Sequence, residues 1–338
     1  MKNKYLLLIL GLGLLLRVIL IDKFPPSLNW DEVSHGYNAY SILNTGKDEW
    51  GQLLPLFNFR AYGDYPLPLN LYLTIPFVAI FGLSEFSIRL PHALLGVGTL
   101  IAIYWVTKGI TNNKNLALLS TFLASITPWY LFTSRFVLQS NLSVFLLSTF
   151  LALFVNRDKN KFNLPLSFLA LGLTLYSYHS TRIFSPLLLL VVVFLYRYEF
   201  SIKLKERNKS IFVSMFFLVI FFIPLPFILL NPNSRARANS VFLINEGAVN
   251  KIIESRNTSK LPPAINRLIY NRPIYFAKEF TKNYIGYFSP QFLFLKGGTQ
   301  YQFSIPNAGL LYLVNLPFFY IVFFVLLKSV FKREKDSQ

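Results

Sequence analysis

Long apolar runs recur along this chain, and short clusters of lysine and arginine separate them. A helix of about 20 apolar residues crosses a hydrocarbon core roughly 30 Å thick, and several of these runs approach that length. Hydrophobic residues make up 54% of the chain and charged residues only 14%, which excludes a soluble domain. The sequence therefore predicts an all-α polytopic membrane protein with spans near residues 5–21, 90–107, 116–132, 136–155, 164–178, 182–196, 211–230 and 308–327.

The basic clusters predict which ends of the spans face the cytoplasm, because lysine and arginine are enriched in short cytoplasmic loops. If the apolar stretch 67–83 also crossed the membrane, the basic clusters that follow it would lie on the other side of the membrane from the amino terminus. This stretch follows Pro66 and contains Pro68, Asn70 and Pro76, which favours an interfacial or re-entrant helix. We therefore expect eight spans with both termini in the cytoplasm. The clusters are Lys2 and Lys4, Lys108 and Lys114, Arg157, Lys159 and Lys161, the basic residues of 197–209, and the tail from Lys328.

Other features of the composition exclude several classes of protein. The net charge of +18 does not indicate nucleic-acid binding, because the basic residues lie between the spans. The absence of cysteine rules out disulfides and thiolate metal sites. The segment Met1–Ile21 lacks a small-x-small cleavage site and contains Arg17, so we expect an uncleaved first span.

This topology gathers most of the embedded polar residues on one membrane face. The outward segments are the first outer loop 22–89, the turns 133–136 and 178–182, and the long loop 231–306. Ionisable groups at membrane depth are costly and mark either a site or a mutual pairing. The residues on this face are Asp31, Glu32, Asp64, Arg89, Arg135, Gln139, Asn141, Tyr178, His179 and Arg182.

The adjacent acids of Trp30-Asp31-Glu32 follow the first span in a chain with only 15 acidic residues against 33 basic ones. Removing a proton from an attacking hydroxyl needs a base, and two neighbouring carboxylates in unequal surroundings can divide into a base and a positioning group. Alternatively, Asp31 caps a helix over about 32–44 that Gly46 ends, and Glu32 is a charge in its first turn. Both interpretations remain open at this point.

Two further residues of the first outer loop have a structural and a functional interpretation. Asp64, in Gly63-Asp64-Tyr65-Pro66, is either a turn residue or a substrate contact. Arg89 begins a span, where an arginine either reaches the headgroups or pairs with a carboxylate or phosphate of a site.

The next two outer turns carry a second polar group. Arg135 lies at the tip of a tight helical hairpin, and Gln139 and Asn141 follow inside the next span. A lone arginine at a tip anchors the interface, but this combination in an apolar helix favours a binding role. Tyr178, His179 and Arg182 form the other turn, where His179 is a proton shuttle, a metal ligand or a structural histidine. The three histidines of the chain show no metal-ligand spacing.

Arg235 and Arg237 follow the 211–230 span at headgroup height. Paired guanidinium groups there suit a phosphate or diphosphate ester, and ordinary lipid headgroups are the alternative partner. The sequence contains neither a Walker loop nor a glycine-rich dinucleotide fingerprint, so soluble nucleotide chemistry is not indicated.

The order and spacing of these motifs resemble the GT-C glycosyltransferases that use polyprenyl-phosphate sugars. Within that class the chain is similar to the protein O-mannosyltransferase and aminoarabinose-transferase group. The resemblance covers about residues 1–185 well and Gly309–Pro317 more loosely. It is carried by Arg17, Trp30-Asp31-Glu32, Tyr65-Pro66-Leu67-Pro68, Ile88-Arg89-Leu90-Pro91 and Trp129 to Arg135.

The resemblance implies a GT-C-like bundle with interfacial helices in the first outer loop and an acceptor-activating acid at Asp31. Glu32 would position the acceptor or ease departure of the leaving group through a paired arginine, and Arg89 matches an arginine of the group's active loop. Arg135, Arg235 or Arg237 would neutralise the donor phosphate. The group largely works without a metal, so no cofactor is expected, although a divalent metal is not excluded.

The expected reaction is an inverting sugar transfer from a polyprenyl-phosphate carrier, on the extracytoplasmic face of the plasma membrane. The acceptor hydroxyl belongs to a lipid, a glycan or a protein. The protein contacts membrane lipids but no nucleic acid, and a homo- or hetero-oligomer is left open. The alternatives are a lipid-linked-sugar transporter or flippase and an inactive subunit that depends on a partner. A transporter would carry polar residues at mid-membrane depth, whereas here they gather at one face.

The sequence divides into three expected regions. Residues 1–230 form the GT-C-like catalytic module, and residues 231–306 form an extracytoplasmic loop region with helical patterning around 262–285. Residues 307–338 form the last transmembrane helix and a basic cytoplasmic tail. Family members commonly continue with several more spans, which is the observation behind the partner-dependent alternative.

Overall fold

The computed structural model of the protein describes residues 4–230, 242–300 and 303–335. In these ranges the chain forms helices joined by turns, and the strand-like pairing is limited to two isolated bridges, Lys47–Leu53 and Ala61–Asp64. The all-α prediction is confirmed. The α-helices are α1 Lys4–Val18, α2 Trp30–Thr45, α3 Pro68–Phe81, α4 Glu85–Thr111, α5 Lys114–Ile126, α6 Pro128–Thr133, α7 Gln139–Val155, α8 Asn163–Thr174, α9 Thr181–Leu195, α10 Arg197–Lys205, α11 Lys209–Phe222, α12 Leu225–Leu230, α13 Glu246–Thr258, α14 Pro263–Ile269, α15 Arg272–Gly286 and α16 Leu316–Lys335.

Each of the eight predicted spans falls on one of these helices or on a consecutive pair. The span predicted at 116–132 is divided at Thr127, because the residue before a proline disfavours helical backbone angles. The last span was predicted from residue 308, but its α-helix starts at Leu316, with Pro317 in the first turn. By length and composition, two described helical stretches are able to cross a membrane, Glu85–Thr111 and Lys209–Leu230, and a third is if the bent pair α9 and α10 counts as one span.

The chain divides into two compact units, of which the first comprises residues 1–126 and 130–238. Its central helix is α4, which packs against α1, α3, α5 and α7. α7 packs in turn against α8, and α8 against α11. The contacts between α4 and α7 are close because Gly98 has no side chain: a Cβ there would lie 2.5 Å from the Phe145 ring. Phe150, Phe168 and Leu171 are among the buried residues of the apolar core that α7 and α8 share with their neighbours.

Arg17 is a charged side chain buried inside this helical packing. Arg17 of α1 is fully buried, and its Nη1 donates to the carbonyl oxygens of Gly13 at 3.0 Å and Ser125 at 3.2 Å. Its guanidinium also lies 5.3 Å from the centroid of the Tyr130 ring. Gly96 of α4 leaves room for it, since a Cβ there would lie 2.6 Å from Arg17 Nε. The arginine therefore connects α1 to α5 through the Ser125 carbonyl.

The first outer loop forms a small packed layer of its own, because α2 and α3 enclose an apolar cluster with the segment between them. This cluster contains Ala39, Ile42, Phe59, Ala61, Leu71 and Val78. Within the segment, residues Ala61 and Asp64 pair through two backbone hydrogen bonds. Tyr62 and Gly63 between them have positive φ angles of 49° and 81°, which are typical of a type I′ turn. Asp64 thus lies in a tight turn, where its Oδ1 accepts from the backbone N–H of Tyr65 at 2.8 Å.

The predicted boundaries of α2 are partly wrong and partly confirmed. Asn29, and not Asp31, is the N-cap: its side chain accepts from the Glu32 N–H, while the Glu32 side chain accepts from the Asn29 N–H, each at 3.0 Å. This reciprocal capping box starts the helix at Trp30. Gly46 ends it as predicted, with a φ of 72°.

The second unit comprises residues 127–129 and 239–338. The helical pattern predicted around 262–285 is confirmed by α14 and α15. On α15, the rings of Phe276, Phe280 and Tyr284 stack in succession. The Tyr320 hydroxyl of α16 donates to the Phe288 carbonyl at 2.6 Å, which fixes α16 to the end of that segment.

His35 of α2 is completely buried against the edge of Phe59, with the two ring centroids 5.2 Å apart. Its Nδ1 is 2.8 Å from the carbonyl oxygen of Asp31, so this nitrogen carries the proton. Burial lowers the pKa of His35 to about 4. The folded protein consequently keeps this imidazole neutral over a pH range in which the unfolded chain protonates it.

This buried imidazole predicts a loss of stability as the pH falls below 6.5. Between pH 6.5 and 4 the unfolded chain binds a proton at His35 and the folded protein does not. Protonation therefore favours unfolding, and the free energy of unfolding decreases by about 2 kcal/mol from pH 7 to pH 5. We expect His35→Asn, which keeps a donor near the Asp31 carbonyl, to remove this share of the pH dependence. Thermal unfolding in detergent at both pH values measures it, and equal pH dependence in the two proteins would contradict the prediction.

Candidate active site

The central contact at the start of α2 and α4 is a buried ion pair between Glu32 and Arg89. Arg89 Nε donates to Glu32 Oε1 at 2.8 Å, and Nη2 donates to Oε2 at 3.2 Å, a forked arrangement of both groups. Neither side chain is more than 1% exposed. At this burial a single unpaired partner would be strongly destabilising, so the two side chains act as a unit.

Arg89 uses all of its donors inside the protein. Besides the two bonds to Glu32, Nη1 donates to the carbonyl oxygens of Ile21 and Pro25, each at 2.8 Å, and Nη2 donates to that of Ser27 at 2.6 Å. A guanidinium has five N–H donors, and five acceptors are present here. Of the two roles predicted for Arg89, pairing with a carboxylate therefore matches these contacts, and its donors are not available to a phosphate.

Glu32 is occupied to the same degree. Its carboxylate accepts from Arg89, from the Asn29 N–H of the capping box, and from the Val137 N–H at 3.3 Å. It thereby joins the start of α2 to α4 and to the turn before α7. These contacts give Glu32 a positioning role. Both of its carboxylate oxygens already accept hydrogen bonds inside the protein, so neither is vacant for the predicted catalytic role.

Asp31 lies at the second residue of α2 and is half-buried. Its backbone carbonyl accepts from His35, and its neighbour Glu32 is fixed by the ion pair. The side chain is not part of that pair. A helix N-terminus carries partial positive charge, which favours the ionised form of a carboxylate there. The backbone at this position is held by the His35 contact and by the neighbouring ion pair, and Asp31 is the stronger catalytic candidate of the two acids.

Arg135 closes the carboxyl end of α1. Its guanidinium donates to the carbonyl oxygens of Leu16 at 2.5 Å, Ile19 at 2.7 Å and Phe24 at 3.1 Å. The last carbonyls of a helix have no partner inside the helix, and a cation there also compensates the negative end of the dipole. Unlike Arg89, the half-buried Arg135 has one Nη1 hydrogen without a partner among the described residues.

Residues of the two later outer turns hold the first outer loop. His179 Nε2 lies 3.1 Å from the Tyr65 carbonyl, and the Leu67 N–H is 3.5 Å from Gln139 Oε1, at the limit of a hydrogen bond. Arg182 donates through Nη2 to the Phe57 carbonyl at 3.1 Å. The structure thus brings Gln139, His179 and Arg182 to one segment, residues 57–67, which also carries Asp64. Half-buried Tyr178 lies in the same turn as His179.

Arg182 differs from the other two arginines in having a buried donor to spare. Its side chain is 3% exposed, and Nε donates to the Leu175 carbonyl at 3.2 Å. Its Nη1 is buried without a hydrogen-bond partner among the residues that the structure describes. A buried unpaired N–H is costly, which favours an anionic or polar ligand at this position over an empty one.

Two further expectations concern metal binding and the arginine pair that follows the 211–230 span. The described ranges contain no group of three or more His, Cys, Asp or Glu side chains suited to a metal ion. Arg235 and Arg237 lie outside the described residues. Their expected contact with a phosphate therefore stays a prediction.

The buried histidines were not predicted as part of this region. His92 of α4 is completely buried, and its Nδ1 lies 3.5 Å from the side-chain nitrogen of Asn141. The same Asn141 nitrogen donates to the Thr133 carbonyl at 2.6 Å and so supports the turn that contacts Glu32. His35 and His92 are distant in sequence and have no ligand spacing, and the packing of α2 on α4 is what brings them into this layer.

Comparison with known proteins agrees with this architecture. Residues 64–227, just under half of the chain, match the family described as Dolichyl-phosphate-mannose-protein mannosyltransferase. An uncharacterized protein of Aquifex aeolicus is 30% identical over 106 residues, which are 31% of this chain and 20% of that protein. The chain thus spans about a fifth of that relative's length.

Two solved structures share the fold at low sequence identity. ArnT from Cupriavidus metallidurans bound to undecaprenyl phosphate is 14% identical, with a TM-score of 0.53 over 82% of this chain and 56% of ArnT. Its apo state is 15% identical, with a TM-score of 0.51 over 80% and 53% of the two chains. The expectation of a GT-C-like helical fold is therefore confirmed. The chain is thus similar to the mannosyltransferase family over residues 64–227 and to ArnT in its fold.

Proposed function

We propose that this protein transfers a sugar from a polyprenyl-phosphate carrier to an acceptor hydroxyl on the extracytoplasmic face of the membrane, with Asp31 as the general base. The observation that supports the proposal is that the two adjacent acids have different surroundings. Glu32 is enclosed by Arg89 and backbone donors, whereas Asp31 is half-buried at a helix N-terminus outside that ion pair. Two adjacent carboxylates in such unequal surroundings suit separate roles.

The reaction would proceed as a single displacement. The acceptor hydroxyl oxygen attacks the anomeric carbon of the sugar, and Asp31 takes the hydroxyl proton as the new carbon–oxygen bond forms. The bond between the anomeric carbon and the phosphate oxygen breaks, and its electron pair leaves with the polyprenyl phosphate. Attack opposite the leaving group inverts the anomeric centre.

Negative charge develops on the phosphate as it departs, and cations fixed nearby would stabilise it. Arg135 and Arg182 support this role, because each retains an N–H donor without a partner in the described part of the chain. Arg235 and Arg237 remain further candidates. ArnT, which shares this fold, binds undecaprenyl phosphate, and this supports a polyprenyl carrier for the present chain as well.

Asp31→Asn is expected to abolish transfer while leaving the fold intact. Loss of a general base lowers turnover by about 10²–10⁴-fold, and Asn keeps the size of the side chain and the backbone contact to His35. The measurement is release or transfer of labelled sugar from polyprenyl-phosphate mannose by membranes containing each protein, with equal amounts verified by immunoblot.

Asp22→Asn is the matched control, because it removes an exposed carboxylate from the same loop. We expect it to retain wild-type turnover. If Asp31→Asn and Asp22→Asn are equally active, Asp31 is not the base. If wild type itself transfers no sugar from this or other polyprenyl-phosphate donors, the proposal of catalysis by this chain alone fails.

Glu32→Gln and Arg89→Gln are expected to act mainly on stability. Breaking a buried ion pair by removing one partner costs about 3–5 kcal/mol, which lowers the melting temperature on the order of 10 °C. Because each single change already removes the pair, the double variant should lose less than the sum of the two. Thermal unfolding of the four proteins in detergent gives this coupling, and additive losses would show that the pair does not act as a unit.

A further inference from the structure

A groove of about 650 Å³ lies between α4 and α7, and the ion pair and outer turns described above do not contribute to it. Its α4 side is formed by Gly98, Ile101, Ala102 and Trp105, and its α7 side begins at Phe145. These positions lie on one face of α4, at the i, i+3, i+4 and i+7 spacing of a helix. Its volume is in the range of small-molecule sites, and its walls are largely apolar.

The groove has the dimensions of one membrane leaflet. On α7 it extends from Phe145 to Asn156, about 16 Å along the helix axis. That is close to half of a hydrocarbon core roughly 30 Å thick. α4 and α7 run parallel here, because Gly98 faces Phe145 while the Trp105 carbonyl accepts from Asn156 Nδ2 at 3.1 Å. An extended acyl chain therefore fits along the groove from the membrane middle to its edge.

The groove is polar at one end only. There it is lined by Asn156, Lys159, Asn160 and Asn163, in the turn that joins α7 to α8. Trp105 lies at the same level and is 43% exposed, as is typical of tryptophan at a membrane interface. Buried Asn156 has a side-chain oxygen without a hydrogen-bond partner in the described ranges. This end thus offers an acceptor, several amide donors and a cation at headgroup height.

The charge at this end is positive and is not cancelled by nearby acids. Glu199 binds Arg157 through Nε at 2.9 Å, and Lys203 bonds to both Glu199 at 2.7 Å and Asp158 at 2.9 Å. The ion pairs formed by the described residues here do not include Lys159, which is exposed. The Lys159 N–H donates to the Asn156 carbonyl at 3.0 Å, so its backbone is fixed beside the polar end of the groove.

We propose that this groove binds one anionic phospholipid whose headgroup carries hydroxyl donors, such as phosphatidylglycerol. One acyl chain lies between α4 and α7, the phosphate accepts from Lys159, and a headgroup hydroxyl donates to the unpaired Asn156 oxygen. The basic cluster of this turn assigns the lipid to the cytoplasmic leaflet by the positive-inside rule. The site is therefore at the membrane surface opposite to the proposed active site.

Quenching of Trp105 fluorescence by brominated lipid tests this site directly. Replacing Trp30, Trp50 and Trp129 by Phe leaves Trp105 as the single tryptophan of the four in the chain. The delipidated protein in nonionic detergent is titrated with phosphatidylglycerol or phosphatidylcholine brominated in mid-chain. We expect saturable quenching at one lipid per chain, with phosphatidylglycerol bound about fivefold more tightly because of the single lysine.

Two pairs of variants separate the groove from general solvation by lipid. Thr149→Phe fills the groove from α7 and should abolish saturable quenching, whereas Leu151→Phe adds the same ring at an exposed position outside the groove and should not. Lys159→Gln should reduce the affinity for phosphatidylglycerol to that for phosphatidylcholine, and Lys161→Gln should not.

The outcome that overturns the proposal is quenching that rises with lipid without saturation, or that is equal for the two headgroups in wild type. Unchanged binding in Lys159→Gln would overturn it equally. Lys159 is exposed, so this variant is expected to fold even if Thr149→Phe does not. Melting temperatures equal to that of wild type confirm that a lost signal reflects lost binding.

Discussion

The buried ion pair of Glu32 with Arg89 is the interaction on which the arrangement of the candidate active site depends. It joins three parts of the chain that are remote in sequence: the start of α2, the start of α4, and the turn before α7. Arg89 also fixes the chain between α1 and α2 through three carbonyls. The ion pair is stable because every donor of Arg89 has an acceptor. Two charges removed from water are tolerated only when their hydrogen bonds are all made.

This pairing explains why adjacent acids have different surroundings. Side chains at neighbouring helix positions point about 100° apart, so when Glu32 turns inward to Arg89, Asp31 is directed elsewhere. The capping box then fixes the first turn, and the His35 contact holds the Asp31 backbone from one turn later. A base needs such fixed geometry more than it needs an unusual environment, because proton transfer depends first on distance.

The sequence predicts the helices better than the contacts between them. Apolar run lengths locate the spans, and Gly46 marks the end of α2, because both are local properties of the chain. The N-cap at Asn29 was also predictable in principle, since Asn29 and Glu32 have the spacing of a capping box, but Asp31 is an equally good capping residue on its own. The role of Arg135 was not predictable, because the carbonyls it binds lie more than a hundred residues earlier in the chain.

The three arginines Arg89, Arg135 and Arg182 differ in how their charge is compensated. Arg89 is neutralised by Glu32, whereas the contacts of Arg135 and Arg182 within the described residues are to neutral backbone carbonyls. A hydrogen bond to a carbonyl fixes a guanidinium without cancelling its field, so two positive charges remain at this face in positions that do not need to rearrange. Fixed charges of this kind attract an anionic donor. They also stabilise a phosphate that gains charge as it leaves, because the guanidinium groups are already oriented in the folded protein. These structural arginines are thus compatible with the proposed transfer, because the contacts that hold neighbouring segments of the chain in place also fix the two positive charges.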